Sequence, residues 1–308
     1  MRPLLPEVFY WLFSMSISAA LTGIPVLLLG KWRRLPRGLA CLLWGIPFFR
    51  MWVPLSLPGK YSLMSLFSRL WSQSVVVYVQ ADSNTYLTAT NCAGAVSGYF
   101  PLTFKTYPLE ALFRWASWIW LAVAAAIFLA LALSYCRAMA AAKSARPLCG
   151  NVYLSPKVTS PAVYGVLRPR ILLPESYGER ELRYILAHET AHIRRGDNLW
   201  RILALLTAAV HWFNPFSWIF LKHFLAEVEL ACDEEALKTL GEGEKKAYAA
   251  ALLDCAAGGT PFASAFGGVK IRRRLSRILA YRKLSALSAL SFAALALGIA
   301  YVLLTNAA

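Results

Sequence analysis

Tyr184-Ile185-Leu186-Ala187-His188-Glu189-Thr190-Ala191-His192 places two histidines four residues apart, with a glutamate directly after the first. On an α-helix, residues four apart lie about 40° apart in azimuth and one turn up, so His188 and His192 can present two imidazoles to one ion. Zinc accepts such nitrogens at about 2.0 to 2.1 Å. Glu189 projects from an adjacent part of the same face, where a carboxylate can take a proton from a water that attacks a peptide carbonyl. That is the logic of the H-E-x-x-H signature; the bland alternative is a helix with two satisfied histidines and an exposed glutamate.

The surroundings support a helix that follows a sheet. Val152-Tyr153-Leu154, Ala162 to Leu167 and Arg170-Ile171-Leu172-Leu173 are short β-prone runs broken by prolines and glycine, and predict a small antiparallel sheet. Leu182, Ile185, Leu186, Glu189 and Ile193 then recur at helical spacing, and Gly196 is a stop signal.

A catalytic zinc usually takes a third protein ligand. An extended metalloprotease motif would need glycine and histidine where Arg195 and Asn198 stand, so that class is excluded. Glu229-Leu230-Ala231-Cys232-Asp233 puts two carboxylates four apart on a helix predicted over about Phe216 to Leu240. Glu229 is the expected third ligand and Asp233 the acceptor that orients a histidine. The competing account is a solvated acidic face continuing into Glu234 and Glu235, and Asp197, His211 and His223 are competing ligands.

Outward from these motifs the chain is apolar: 58% of its 308 residues are hydrophobic and 16% charged. That composition indicates a membrane protein. Val8 to Leu29, Leu112 to Tyr135 and Leu284 to Leu304 are long enough to cross a bilayer, and Leu39 to Leu57, with Arg50 and two prolines, makes a weaker fourth. The net charge of +16 is read as a positive-inside bias and not as a nucleic-acid surface, since no basic helix or aromatic-spaced patch suggests a groove or stacking reader. The basic turn after the first helix places the amino terminus and the loop at about 58–110 outside, and the region up to about residue 283 in the cytoplasm. The six cysteines show no paired spacing, so neither a disulfide framework nor a cysteine zinc site is indicated. Leu199 to Leu225 is apolar enough to span, but a full crossing would separate the histidines from Glu229. Asn214-Pro215 therefore marks a re-entrant helical pair over 199–225.

From Val152 through Ala236 the chain resembles the membrane antirepressor metallopeptidases of the BlaR/MecR type. The resemblance rests on Ser160 to Gly165, Pro169 to Pro174, His188 to Asp197, His211-Trp212-Phe213-Asn214-Pro215 and Glu229 to Asp233. It implies a gluzincin-like α+β zinc peptidase domain with His188, His192 and Glu229 on Zn2+, Glu189 as general base and acid, and Arg170, Ile171 and Leu172 on an edge strand along which a substrate peptide pairs. It also implies self-cleavage near Phe266 to Arg277, where the basic run Lys270 to Arg274 is otherwise read as a positive-inside anchor. No penicillin-binding motif follows the last helix, so β-lactam sensing is not expected.

The resulting expectation is a mainly α, polytopic membrane protein with about four transmembrane helices. Residues 1–139 form the amino-terminal membrane region, 140–283 a cytoplasmic zinc metallopeptidase domain, and 284–308 a closing helix. It is expected in a bacterial plasma membrane as a signal-transducing endopeptidase. Its partners are the lipid bilayer, a cytoplasmic protein such as a winged-helix repressor, its own chain and a second copy of itself, with no direct nucleic acid. The alternatives are a housekeeping quality-control peptidase and a non-proteolytic zinc-containing receptor.

Overall fold

The computed structural model describes residues 4–32, 34–53, 63, 74–81, 84–91, 107–158, 160–175, 179–257, 271–282 and 285–305. The helices are α1 (Leu4–Gly30), α2 (Arg37–Leu43), α3 (Gly45–Trp52), α4 (Tyr107–Lys143), α5 (Glu179–Arg195), α6 (Asp197–Val210), α7 (Pro215–Leu240), α8 (Lys245–Ala257), α9 (Ile271–Leu279) and α10 (Ala286–Leu304). The strands are β1 (Ser74–Ala81), β2 (Asn84–Asn91), β3 (Arg146–Cys149), β4 (Val152–Leu154), β5 (Ala162–Tyr164) and β6 (Arg170–Leu173). The protein is mainly helical, and β1 and β2 form an antiparallel hairpin inside the segment expected to be an external loop.

Among the described residues, three helices are long and apolar enough to cross a membrane: α1, Ala111–Ala140 within α4, and α10. Trp115, Trp118 and Ile119 on α4 and Leu287, Leu290 and Leu297 on α10 stay exposed, as lipid-facing side chains would. The fourth stretch, Leu39 to Leu57, differs from expectation. It is broken at Trp44 into α2 and α3, of 7 and 8 residues, and its end falls outside the described residues. Arg50 explains why this stretch is not simply lipid-exposed. It is fully buried, donating from Nε to Ser18 Oγ at 3.0 Å and from Nη1 to the Leu304 carbonyl at 2.8 Å, so it ties α3 to α1 and to the end of α10.

The apolar stretch before the acidic helix does turn back. α6 ends at Val210, with His211 as its C-cap, and α7 starts at Pro215, whose missing N–H suits a first helical position. Asn214 caps α7: its Oδ1 accepts from Phe216 N at 2.9 Å, while its Nδ2 donates to Ser16 Oγ at 2.6 Å and to the Ser16 carbonyl at 3.2 Å. Trp52 Nε1 donates to Thr207 Oγ1 and Trp120 Nε1 to the Val210 carbonyl, both at 2.8 Å, so α3 and α4 hold the tip of this hairpin. Phe220 of α7 lies directly over Gly23 of α1. A Cβ at Gly23 would sit 2.0 Å from Phe220 Cζ, so only glycine permits this approach.

The four-stranded sheet has the order β3-β4-β6-β5 and corrects two expectations. It is mixed, because β6 returns between β4 and β5, lying parallel to β4 and antiparallel to β5. Arg170, Ile171 and Leu172 are therefore on an interior strand and not on an edge. Ile171 N donates to the Asn151 carbonyl and the Leu173 carbonyl accepts from Ser155 N on one side, while β5 pairs on the other. No side of the β6 backbone is free for a peptide. Ile171 and Leu172 are core residues, and the Arg170 guanidinium lies 5.1 Å from the centre of the Tyr153 ring. The edges of the sheet are β3 and β5. Gly196 adopts a left-handed φ of 66° between α5 and α6, the stop expected from sequence.

Candidate metal centre

α5 carries His188, Glu189 and His192, and α7 carries Glu229, Cys232 and Asp233 on the turns that face it. The two imidazoles meet edge to face, with centroids 4.8 Å apart and an interplanar angle of 86°. Their Nε2 atoms converge on one carboxylate: His188 Nε2 is 3.7 Å from Glu229 Oε2 and His192 Nε2 is 3.7 Å from Glu229 Oε1. Two ligand atoms at about 2.0 to 2.1 Å from a tetrahedral ion stand roughly 3.3 to 3.4 Å apart, so each of these histidine–carboxylate separations is within a few tenths of an ångström of a zinc-ligand pair.

The other ring nitrogens are occupied, as ligand histidines require. His192 Nδ1 lies 2.7 Å from Asp197 Oδ2, and Asp197 also accepts from Arg195 Nε at 3.2 Å through both oxygens. Asp197, a competing ligand by sequence, thus sits behind His192. His188 Nδ1 lies 2.9 Å from the Tyr248 hydroxyl and 3.3 Å from Asp233 Oδ1, and Tyr248 donates to Asp233 Oδ1 at 2.8 Å. The other two competitors are remote from this cluster: His211 is bonded to the Thr207 carbonyl and His223 is stacked on Trp44.

His188, His192 and Cys232 bring potential ligand atoms within 4.8 Å of one another, which makes Cys232 an alternative third donor. It is fully buried, and its Sγ donates to the His188 carbonyl at 3.1 Å, turning the thiol toward helix backbone. The Glu229 side chain keeps 22% of its surface, so it borders the side from which a substrate can approach. Glu189 is buried at 7% exposure, and its carboxylate forms no hydrogen bond or ion pair among the described residues.

Two arginines that sequence reasoning did not assign to the site complete it. Arg201 Nη2 donates to Glu229 Oε1 at 2.5 Å, and lies 3.5 Å from His192 Nε2. Arg274 of α9 holds Asp233 with both ends of its fork, Nη2 to Oδ1 at 2.7 Å and Nε to Oδ2 at 2.9 Å, and its Nη2 reaches 3.3 Å from His188 Nε2. Next to it, Arg273 and Arg37 share the buried Glu227, at 2.8 and 3.0 Å. Burial would raise the Asp233 and Glu229 carboxyls. It is outweighed by Arg274 and then His188 at Asp233, and by His188 and then Arg201 at Glu229, and both end below the usual carboxylate range. Burial would lower His192, but Cys232 and the bond to Asp197 outweigh it and raise the imidazole to about 9.

Two histidines and a carboxylate brought together on facing helices make a candidate metal centre, and comparison with known proteins gives the chain its class. The family described as BlaR1 peptidase M56 matches residues 10–278, so the chain belongs to that metallopeptidase family. It is similar to the regulatory protein BlaR1 of Bacillus licheniformis, 36% identical over 102 residues, covering 32% of this chain and 17% of that protein. It is also similar to the methicillin resistance mecR1 protein of Staphylococcus aureus (strain Mu50 / ATCC 700699), 29% identical over 109 residues, covering 34% of this chain and 19% of the relative. The chain thus spans less than a fifth of the length of these curated relatives.

Proposed function

We propose that the chain is a membrane-anchored zinc endopeptidase of a bacterial plasma membrane that acts in signal transduction, cutting itself, a cytoplasmic protein such as a transcriptional repressor, or both. The observation that carries this reading is the convergence of two imidazole Nε2 atoms on one carboxylate, each 3.7 Å away, with both Nδ1 atoms hydrogen-bonded behind them. His188, His192 and Glu229 would hold the metal. Bound there, zinc would supply Lewis acidity toward a scissile carbonyl and make a water molecule acidic enough to attack it. Glu189, buried beside the histidines and without another partner among the described residues, receives the proton at its carboxylate and returns it to the leaving amine. Asp197 holds His192 in the tautomer that leaves Nε2 free, and Arg201 fixes one oxygen of Glu229.

The site faces the cytoplasm in this reading, with the α6–α7 hairpin dipping into the inner leaflet. The chain itself supplies the nearest substrate. Arg274 of α9 already reaches the two-histidine centre from the segment that leads into α10, which supports a cut close to this part of the chain. The rest of the Phe266 to Arg277 region, up to residue 270, lies outside the described residues.

The test uses the full chain in detergent micelles. Replacing both His188 and His192 with Ala is expected to abolish stoichiometric zinc, and full zinc occupancy in that variant would end the proposal. Glu189→Ala is expected to keep zinc and lose roughly 10²- to 10⁴-fold in fragment formation followed by mass spectrometry.

A further inference from the structure

Tyr248 lies 60 residues from His188 in sequence and on α8, which carries no residue of the motifs. Its hydroxyl nevertheless lies between His188 Nδ1, at 2.9 Å, and Asp233 Oδ1, at 2.8 Å. It is buried at 2% exposure, with its ring edge-on to Tyr184 at a centroid distance of 6.4 Å.

Proton bookkeeping gives this contact a direction. A phenol hydroxyl donates one hydrogen bond, and an ionised carboxylate only accepts. Asp233 is held ionised by the two-pronged contact from Arg274, at 2.7 and 2.9 Å. The Tyr248 proton therefore goes to Asp233, and the oxygen is left to accept from His188. Nδ1 must carry a proton, so in the neutral imidazole, the form that binds a metal, the lone pair is at Nε2. A second contact agrees: the Arg274 guanidinium, which can only donate, points Nη2 at His188 Nε2 from 3.3 Å. Asp233 Oδ1 itself is 3.3 Å from His188 Nδ1, too far for a short carboxylate–imidazole bond such as the 2.7 Å one that Asp197 makes with His192. The two histidines are thus held differently, one directly by a carboxylate and the other through a phenol.

We propose that Tyr248 is a positioning residue that fixes the tautomer and ring orientation of His188, conveying the Asp233 carboxylate to it through its hydroxyl. The proposal rests on the reading of His188 as a metal ligand. It makes α8 part of the site: metal affinity depends on how α8 packs against α5 and α7, although α8 contributes no ligand. Tyr184 helps to set that packing, since its hydroxyl donates to Glu244 at 2.8 Å just before α8 begins.

Tyr248→Phe removes the hydroxyl and keeps the ring, so the contact with Tyr184 and the fold are retained. Zinc affinity is measured on the full chain in micelles by competition with a chromogenic chelator, and the ligand field by the visible spectrum of the cobalt-loaded protein. Partners behind a metal ligand change affinity by about 10- to 100-fold, so Tyr248→Phe is expected to weaken zinc by that factor and to shift the cobalt bands. Zinc affinity within twofold of wild type with an unchanged cobalt spectrum would overturn the proposal. Asp233→Asn, alone and combined with Tyr248→Phe, tests the relay. If Asp233 acts through Tyr248 the two losses are not additive, whereas strict additivity refutes the relay. Glu229→Gln separates this from the reading beneath it. Unchanged zinc affinity in Glu229→Gln would remove Glu229 as a ligand, while the Tyr248→Phe result still reports on His188.

Discussion

Gly23→Ala asks whether the α6–α7 hairpin is seated on α1, and the structure predicts no gain where a free helix would gain. In the interior of a helix, replacing Gly with Ala ordinarily stabilises by roughly 0.5 to 1 kcal/mol. At Gly23 the new Cβ would fall 2.0, 2.3 and 2.7 Å from three atoms of the Phe220 ring. Carbon atoms rest at about 3.5 to 4.0 Å, so the ring or the helix must move by more than about 1 Å. Phe220 is fully buried and packed against Trp44 at a centroid distance of 5.5 Å, which leaves it little room to yield. Overpacking of this kind costs about 1 to 3 kcal/mol. The net expectation is destabilisation by about 0 to 2.5 kcal/mol where a free helix would gain. Phe220→Ala alone should cost about 3 to 5 kcal/mol through the cavity it leaves. The double variant should cost less than the sum, because the added methyl enters the vacated space. The assay is denaturant unfolding in micelles, read by tryptophan fluorescence for the four chains of this cycle. Stabilisation by Gly23→Ala, or additivity with Phe220→Ala, would refute the contact and with it the seating of the hairpin on α1.

Two further outcomes concern the site. Asp197→Ala is expected to weaken zinc about 10- to 100-fold and Asp197→Asn much less, because the amide oxygen can still accept from His192 Nδ1; equal loss in both variants, by chelator competition, would instead make Asp197 a ligand. His192, raised from 6.5 to about 9, must lose its proton to bind metal, so zinc affinity should fall at least about tenfold per pH unit below about 9. The stabilising contribution of the same group to the metal-free chain runs the other way: it is present in full below pH 6.5 and lost as pH rises through about 9. Proton release on zinc binding, read by calorimetry in two buffers, checks the shift, and affinity independent of pH between 7 and 9 would refute it.

The parts of the site legible in the sequence were those set by spacing within one helix. His188 and His192 on α5, and Glu229 and Asp233 on α7, meet because residues three or four apart share a face, and each pair could be read without knowing the fold. The turn at Asn214-Pro215 was legible for a related reason, since a missing N–H has a local consequence. What could not be read depends on contacts between distant segments. Tyr248 and Arg274 reach His188 across 60 and 86 residues, and nothing near either marks it as part of a metal centre. Arg274 sits in a basic run whose simplest account was electrostatic anchoring at the membrane. The edge position of β6 is implied by the resemblance alone, and its four residues carry no record of what pairs beside them to correct it; strand order is fixed by the path of the chain and not by composition. The short helices α2 and α3 were read as one stretch because their apolar character is continuous, while the buried Arg50 that joins them to α1 and α10 shows only once those helices are in place.

The clasp made by Arg50 bears on what a cut in this chain would do. α10 is joined covalently to the rest only through the segment that carries α9, yet its Leu304 carbonyl is held by Arg50 of α3, and Phe292 meets Trp32 edge-on at 5.8 Å. Ala296, Ile299 and Leu303 lie in the same apolar cluster as Leu43, Trp44 and Met51. A peptide bond broken between α8 and α10 would therefore yield two polypeptides still joined by these non-covalent contacts, a nicked assembly in which α10 stays docked. Scission would be recorded as new freedom for the severed ends, including α9 at the metal centre, and not as departure of a fragment.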